Sequence, residues 1–148
     1  MVIQSVLYTC SQRQVAIVKS VPRLKRDLML MQGDAQLLDP GTIESLRALG
    51  GDTDPDFLSD LIADYVADAA GRIADIRRYV TAGEMEKASA AAHALKGASY
   101  NVGAHHLGEL AKRVEEMCMS AGRTDIEPLV REMEKVFRKT SQAILVLR

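Results

Sequence analysis

Ala91-Ala92-His93-Ala94-Leu95-Lys96-Gly97-Ala98-Ser99-Tyr100-Asn101-Val102-Gly103-Ala104 is the stretch whose reading decides the fold. It reads as a helix with one apolar face and, opposite it, a single histidine among small residues. With His93 at 0° and about 100° per residue, Leu95 falls at about 200°, Ala88 at about 220°, Ala91 at about 160° and Val102 at about 180°. These residues form a stripe pointing away from the imidazole and into a core. Ser89, Ala90, Lys96, Gly97 and Tyr100 are the helical neighbours on the histidine side. The spacing therefore predicts that His93 faces solvent from the middle of a helix.

Gly97 needs a reason, because a mid-helix glycine costs up to about 1 kcal/mol relative to alanine. A missing side chain one turn from His93 clears room for another molecule to reach the ring. Lys96, beside the same space, offers a compact ammonium that can pair with an anion. A neutral imidazole nitrogen, a clear approach and a nearby cation suit the acceptance of a phosphoryl group. The plainer alternative is an ordinary surface histidine near a packing glycine.

The run His93-Ala94-Leu95-Lys96-Gly97-Ala98-Ser99, continuing to Gly103-Ala104 and Leu107, resembles the signature of histidine-containing phosphotransfer (HPt) domains of two-component phosphorelays. The resemblance extends more loosely from about Leu38 to the C-terminus and leaves roughly the first 35 residues outside it. It implies a module that is phosphorylated on His93, with Lys96 as counter-charge to the phosphate and Gly97 as steric clearance. It further implies response-regulator receiver domains as partners, each contributing its aspartate and a Mg²⁺ ion, and a hybrid sensor histidine kinase as a further candidate partner. The docking surface expected is Ser89, Ala90, Lys96, Gly97 and Tyr100, with neighbours from the second and fourth long helical stretches.

Composition agrees with a helical domain. The chain has 148 residues, 47% of them hydrophobic but only 4% aromatic, and it lacks tryptophan. Alanine, leucine and methionine suit packed helices better than a β-sandwich. A net charge of −1 gives no broad electrostatic footprint for nucleic acid. Cys10 and Cys118 are too few and too far apart for a disulfide framework, so a reducing cytoplasm is the expected setting. No run reaches the roughly 18 apolar residues of a membrane span, and the N-terminus has no compact signal core with a small-residue cleavage site.

Taken in order, residues 1–33 are expected to be an N-terminal extension, bounded by Gln32-Gly33-Asp34, and residues 34–148 the helical bundle. Within the extension, Val2–Tyr8 and Val15–Val18 could be short strands, and Arg23–Leu30 a basic amphipathic helix. The initial methionine and this unmatched stretch fit a free-standing carrier with an extension, and equally a domain excised from a larger hybrid kinase. Asp39-Pro40 signals a helix start, with Ile43, Leu46 and Leu49 on one face and Gly50-Gly51 as the stop. Asp54-Pro55 repeats the device and opens a long helix buried through Leu58, Leu61, Ile62, Tyr65, Ala69, Ile73, Ile76 and Val80, ending at Gly83. The His93 helix follows over about 84–102. Gly103 breaks it, and the next helix, over about 104–120, buries Leu107, Leu110, Ala111, Val114, Met117 and Cys118, the last as a small core hydrophobe. Thr124-Asp125-Ile126-Glu127 has the capping-box pattern, with Pro128 in the first turn. The final helix buries Ile126, Leu129, Val130, Met133, Val136, Phe137, Ile144 and Leu147. Four long amphipathic helices with short glycine turns predict an all-α antiparallel up-and-down bundle, the short 40–49 helix covering one end.

Other chemistries find little footing. There is no GxxxxGK[ST] loop or kinase-type GxGxxG, so no ATP site and no autonomous enzyme is expected; phosphate arrives from, and leaves to, other proteins. No cofactor and no metal are expected in the chain itself. His105 and His106 sit about 100° apart and cannot easily share one ion with His93. Glu109, Glu115 and Glu116 read as a solvated face. Ser99 is expected to bond back into its own helix and Asn101 to be a solvent or helix-end residue, while Tyr100 points to the histidine side, either to contact a partner or to shield the helix. The rival readings are a bundle that docks on a signalling partner without carrying phosphate, and a metal- or cofactor-binding bundle, which would need inward-facing ligands that the apolar stripes lack.

Overall fold

A computed structural model describes residues 37–51, 54, 56–120 and 125–147. The strands and helix expected within residues 1–33 lie outside these, as do Pro55 and Thr124. The described residues form five helices: α1 (Pro40–Gly50), α2 (Phe57–Ala82), α3 (Met85–Asn101), α4 (His105–Met119) and α5 (Glu127–Leu145). The four long helices are each packed on two others, α2 on α3 and α5, and α4 on α3 and α5, while α1 rests on α2. The all-α bundle expected from the periodicity is the fold.

The direction of each helix is pinned by named contacts. Tyr65, early in α2, reaches Ser99, late in α3, at 3.2 Å. Arg77, late in α2, grips Glu134 in the first half of α5 through two hydrogen bonds, at 2.5 and 2.8 Å. Both pairs require antiparallel neighbours.

Turn chemistry sets the hairpins. α2 stops at Gly83, whose φ of 75° is the left-handed conformation open to glycine; its amide and that of Glu84 bond back to Val80 and Tyr79. Gly103 plays the same part after α3, with φ 76°, and the Ala104 amide donates to Ser99 at 2.8 Å. Asp39 caps α1 as the sequence suggests: its carboxylate accepts from the Thr42 amide at 2.8 Å and from the Thr42 hydroxyl at 2.6 Å. The Asp39 amide donates to the Gly103 carbonyl at 2.8 Å, so the start of α1 is fastened to the α3–α4 turn. α1 thereby covers the Gly103 end of the bundle.

The core follows the predicted stripes with a few displacements. Ile62, Tyr65, Ala69, Ile73, Ile76 and Val80 of α2 and Leu129, Val130, Met133, Val136 and Ile144 of α5 are buried. Leu61, Met117, Cys118 and Phe137 are only half-buried, being at the flanks of their stripes. Leu49 is 73% exposed, because α1 is short and rests on the bundle through Ile43 instead. On α3 the buried set is Ala88, Ala92, Leu95 and Ser99. Ala91 is half-buried, since the buried arc is centred closer to Ala92 than the Leu95–Val102 line suggested.

Two helix starts also differ from expectation. α2 begins at Phe57, not at Pro55, because the Phe57 amide is taken by the Asp54 carbonyl in a backbone turn and Asp56 makes no side-chain cap. α5 begins at Glu127 with Ile126 before it, later than the capping-box pattern implies, and the Glu127 amide lies 3.3 Å from the Asp125 carboxylate.

Candidate functional site

His93 is on the outer face of α3 with 68% of its side chain exposed. The apolar side of the helix holds the ring outward: Ala92 and Leu95 are fully buried on either side of it in sequence. A Cβ placed on Gly97 would meet nothing within 4 Å, so the space one turn along from the ring is open. Ala90 and Gly97 are exposed, and Ser89, Lys96 and Tyr100 half-buried. The sequence-predicted patch is therefore brought together on one surface.

Lys96 is not waiting free beside that surface. Its ammonium donates to Glu115 Oε2 at 2.7 Å, and the other carboxylate oxygen, Oε1, lies 2.7 Å from His93 Nδ1. The side chains of Lys96 and Glu115 are 24% and 18% exposed, tucked between α3 and α4 beneath the more open ring. Lys96 Nζ also approaches Nδ1 to 3.4 Å, and one carboxylate bridges both groups. The ammonium first, then the imidazole, holds the Glu115 carboxyl below the usual carboxylate range, against the opposing effect of burial. His93 Nε2 has no partner among the described residues.

Glu115 is the residue that the sequence misplaced. It was expected on a solvated face and instead forms the floor of the histidine site. The signal that points to it is the hairpin register: an antiparallel pair turning at Ala104 sets His93 opposite the residue eleven positions beyond the turn, as it sets Tyr100 opposite Gly108. Tyr100 has partners of its own within the hairpin. Its hydroxyl is hydrogen-bonded to Glu109, which raises its pKa, and its ring lies against Gly108 and 5.5 Å from the His105 ring. It faces the histidine side but is fastened to α4. Ser99 bonds the Tyr65 hydroxyl across the α2–α3 contact, and burial pushes that phenol to about 12. Asn101 is the exposed last residue of α3. His105 and His106 open α4 at the far turn, and among the described residues no group of three or more His, Cys, Asp or Glu could hold a metal ion. Among the same residues no helix is long and apolar enough to cross a membrane.

A four-helix bundle that displays the His93 imidazole over small residues, with a cation and a carboxylate at its base, has the form of a carrier or docking module. Comparison with known proteins gives the family. The Hpt domain model matches residues 60–144, more than half of the chain, and the chain belongs to the Hpt domain family. Among solved structures it is similar to histidine-containing phosphotransfer protein B from Pseudomonas aeruginosa PAO1, at 27% identity and a TM-score of 0.66 over 75% of this chain and 93% of that one. A putative histidine-containing phosphotransfer protein from rice, 22% identical, shares the fold with a TM-score of 0.71, over 89% of this chain and 95% of that one. Multistep phosphorelay regulator 1 of Schizosaccharomyces pombe is 27% identical over 82 residues, which are 55% of this chain and 28% of the yeast protein's length.

Proposed function

We propose that this chain is a histidine phosphotransfer protein of a two-component phosphorelay, and that His93 is the residue that carries the phosphoryl group. The observation that carries this reading is the exposed ring: 68% of the His93 side chain is open to solvent, and Gly97 beside it leaves its approach unobstructed. An imidazole nitrogen without a partner can attack phosphorus, and the phosphoramidate that forms can pass the group on to an aspartate. Such transfer depends chiefly on positioning and on stabilising charge, which can be divided between two proteins.

On this reading Ala90 and Gly97 give the flat ground on which a receiver domain settles, with Ser89, Lys96 and Tyr100 at its border. Lys96 lies 3.4 Å from the ring and offsets the charge of the incoming phosphate. The receiver brings its aspartate and a Mg²⁺ ion, and the chain supplies neither metal nor ATP site. A phosphorylated receiver domain or a hybrid histidine kinase is the source of the phosphoryl group, a second receiver aspartate its destination, and the cytoplasm the setting.

Incubation with a ³²P-labelled phospho-receiver tests the proposal. Label is expected on the wild-type chain and absent from His93→Gln, while both variants still bind the receiver. Binding without any label on the wild type would leave only a docking module and overturn the carrier.

A further inference from the structure

We infer that the end of the bundle opposite α1 is a binding site for a small organic cation, an apolar body that carries an ammonium or amidinium group. The inference stands apart from the phosphoryl carrier and uses no residue of the His93 patch.

α1 covers the Gly103 end of the four long helices. At the other end, the last turn of α2, the first residue of α3, the last turn of α4 and the entry to α5 surround an open cavity of about 730 Å³. Small-molecule sites commonly occupy roughly 300–1,000 Å³, and the space between the helices of a bundle is a usual place for them. Much of the wall is apolar. Val80 and Ile126 are buried, and Met85, Met117 and Cys118 are half-buried. Unbranched thioethers adjust their rotamers to the shape of an occupant. Burial pushes the Cys118 thiol up, so its sulfur is a neutral part of the wall.

The polar groups of the cavity are set to accept. Thr81 donates its hydroxyl proton to the Arg77 carbonyl and Ser120 donates its own to the Glu116 carbonyl, each at 2.9 Å. Both protons are thus committed within their own helices, and what remains is oxygen lone pairs. Asp125 and Glu127 bring the charge, and among the described residues no lysine, arginine or histidine lines the cavity. The Asp125 carboxylate takes the Glu127 amide at 3.3 Å, which leaves further acceptor positions on it. Arg77, whose charge Glu127 also influences, is held by Glu134 through two hydrogen bonds and is not part of the lining.

An anion entering this space would meet two carboxylates and no cation to pair with. A neutral molecule would cover the apolar wall and leave the charges unmatched. A cation with an apolar body does both, lying against the methionines while its charge pairs with Asp125 and Glu127. Ser89, Ala90, His93, Lys96, Gly97 and Tyr100 do not line the cavity, so an occupant leaves the His93 surface open.

Benzylammonium, benzyl alcohol and benzoate present one ring with a positive, a neutral and a negative group. Each is titrated into the full chain, carrying ¹³C-labelled methionine methyls, at matched low ionic strength. Benzylammonium is expected to shift the Met85 and Met117 methyls saturably and to leave Met133, in the core, unmoved. It is expected to bind about tenfold more tightly than benzyl alcohol, while benzoate shifts neither methyl. In the double variant Asp125→Asn, Glu127→Gln, benzylammonium is expected to fall to the affinity of benzyl alcohol, whose own binding is unchanged. No saturable shift with benzylammonium would overturn the inference. So would benzoate or benzyl alcohol binding as tightly as the cation, or a cation affinity that the double variant does not alter.

Discussion

Gly97 and Gly108 lie on the two facing helices of one hairpin and have opposite surroundings. A Cβ at Gly97 would meet nothing within 4 Å, whereas at Gly108 it would stand 3.2 Å from the Tyr100 ring. Both glycines weaken their helices, by roughly 0.5–1 kcal/mol each relative to alanine. At Gly108 the loss is offset inside the molecule, because Tyr100 fills the gap and sends its hydroxyl to Glu109. At Gly97 no described residue fills it. Gly71 of α2 is equally open, so what sets Gly97 apart is its place one turn from the exposed His93 ring. The hairpin is therefore closed at its Gly103–Gly108 end and open around His93.

The contrast can be broken first at its closed end. Gly103 has φ 76°, and a Cβ there would lie 3.0 Å from Thr42 Cβ and 3.2 Å from the Asp39 carbonyl oxygen. Gly103→Ala is expected to lose about 2 kcal/mol or more, from the left-handed strain together with the clash. Urea unfolding measures it, and a loss under about 0.5 kcal/mol would mean that α1 does not close this end.

Asp39→Ala, which removes the oxygen shared by the Thr42 amide and hydroxyl, is expected to cost about 1 kcal/mol. The same cap gives a pH signature. Hydrogen bonds from the Thr42 side chain and then its amide pull the Asp39 pKa below 3.8. A folded-state pKa below the unfolded one means stability that is fully present above the unfolded value and fades as the pH falls through the folded one. Wild-type midpoints in urea should therefore drop below about pH 4, and less steeply in Asp39→Ala.

Gly108→Ala is a smaller perturbation, within about 1 kcal/mol, because the half-buried Tyr100 can give way. Its signature is the phenol: with the Glu109 bond disturbed, the raised Tyr100 pKa is expected to return towards 10.0 in a spectrophotometric titration. The smallest change in stability is the most telling in sign. Gly97→Ala is expected to stabilise the fold by about 0.5–1 kcal/mol, and Gly97→Leu to slow phosphotransfer without lowering the urea midpoint. Destabilisation by either variant would place Gly97 in the packing and remove the contrast.

The parts of this molecule that follow from neighbours three or four residues away were readable in the chain. The stripe from Ile62 to Val80, the Asp39 cap and the Gly83 stop each depend on local spacing, and each is where the pattern put it. His93, Lys96 and Gly97 were readable for the same reason, since they share one face of one helix. Glu115 was not, because its contacts with His93 and Lys96 are made from another helix and emerge only once the turn at Gly103 fixes the register. Ser99 is similar: a hydroxyl that could have bonded its own helix is instead matched by Tyr65 from α2. The misplaced starts of α2 and α5 have a further cause. Asp54 acts through its backbone carbonyl and Asp125 through its side chain, and residue type alone does not choose between these.

The central claim, that one accessible imidazole carries the phosphoryl group, is tested most directly by mapping the phosphate after transfer from a labelled phospho-receiver. The expected result is a single acid-labile, base-stable phosphate on the peptide containing His93, with none at His105 or His106. Phosphate on either of those histidines, or on a serine or aspartate with His93 unmodified, would contradict it.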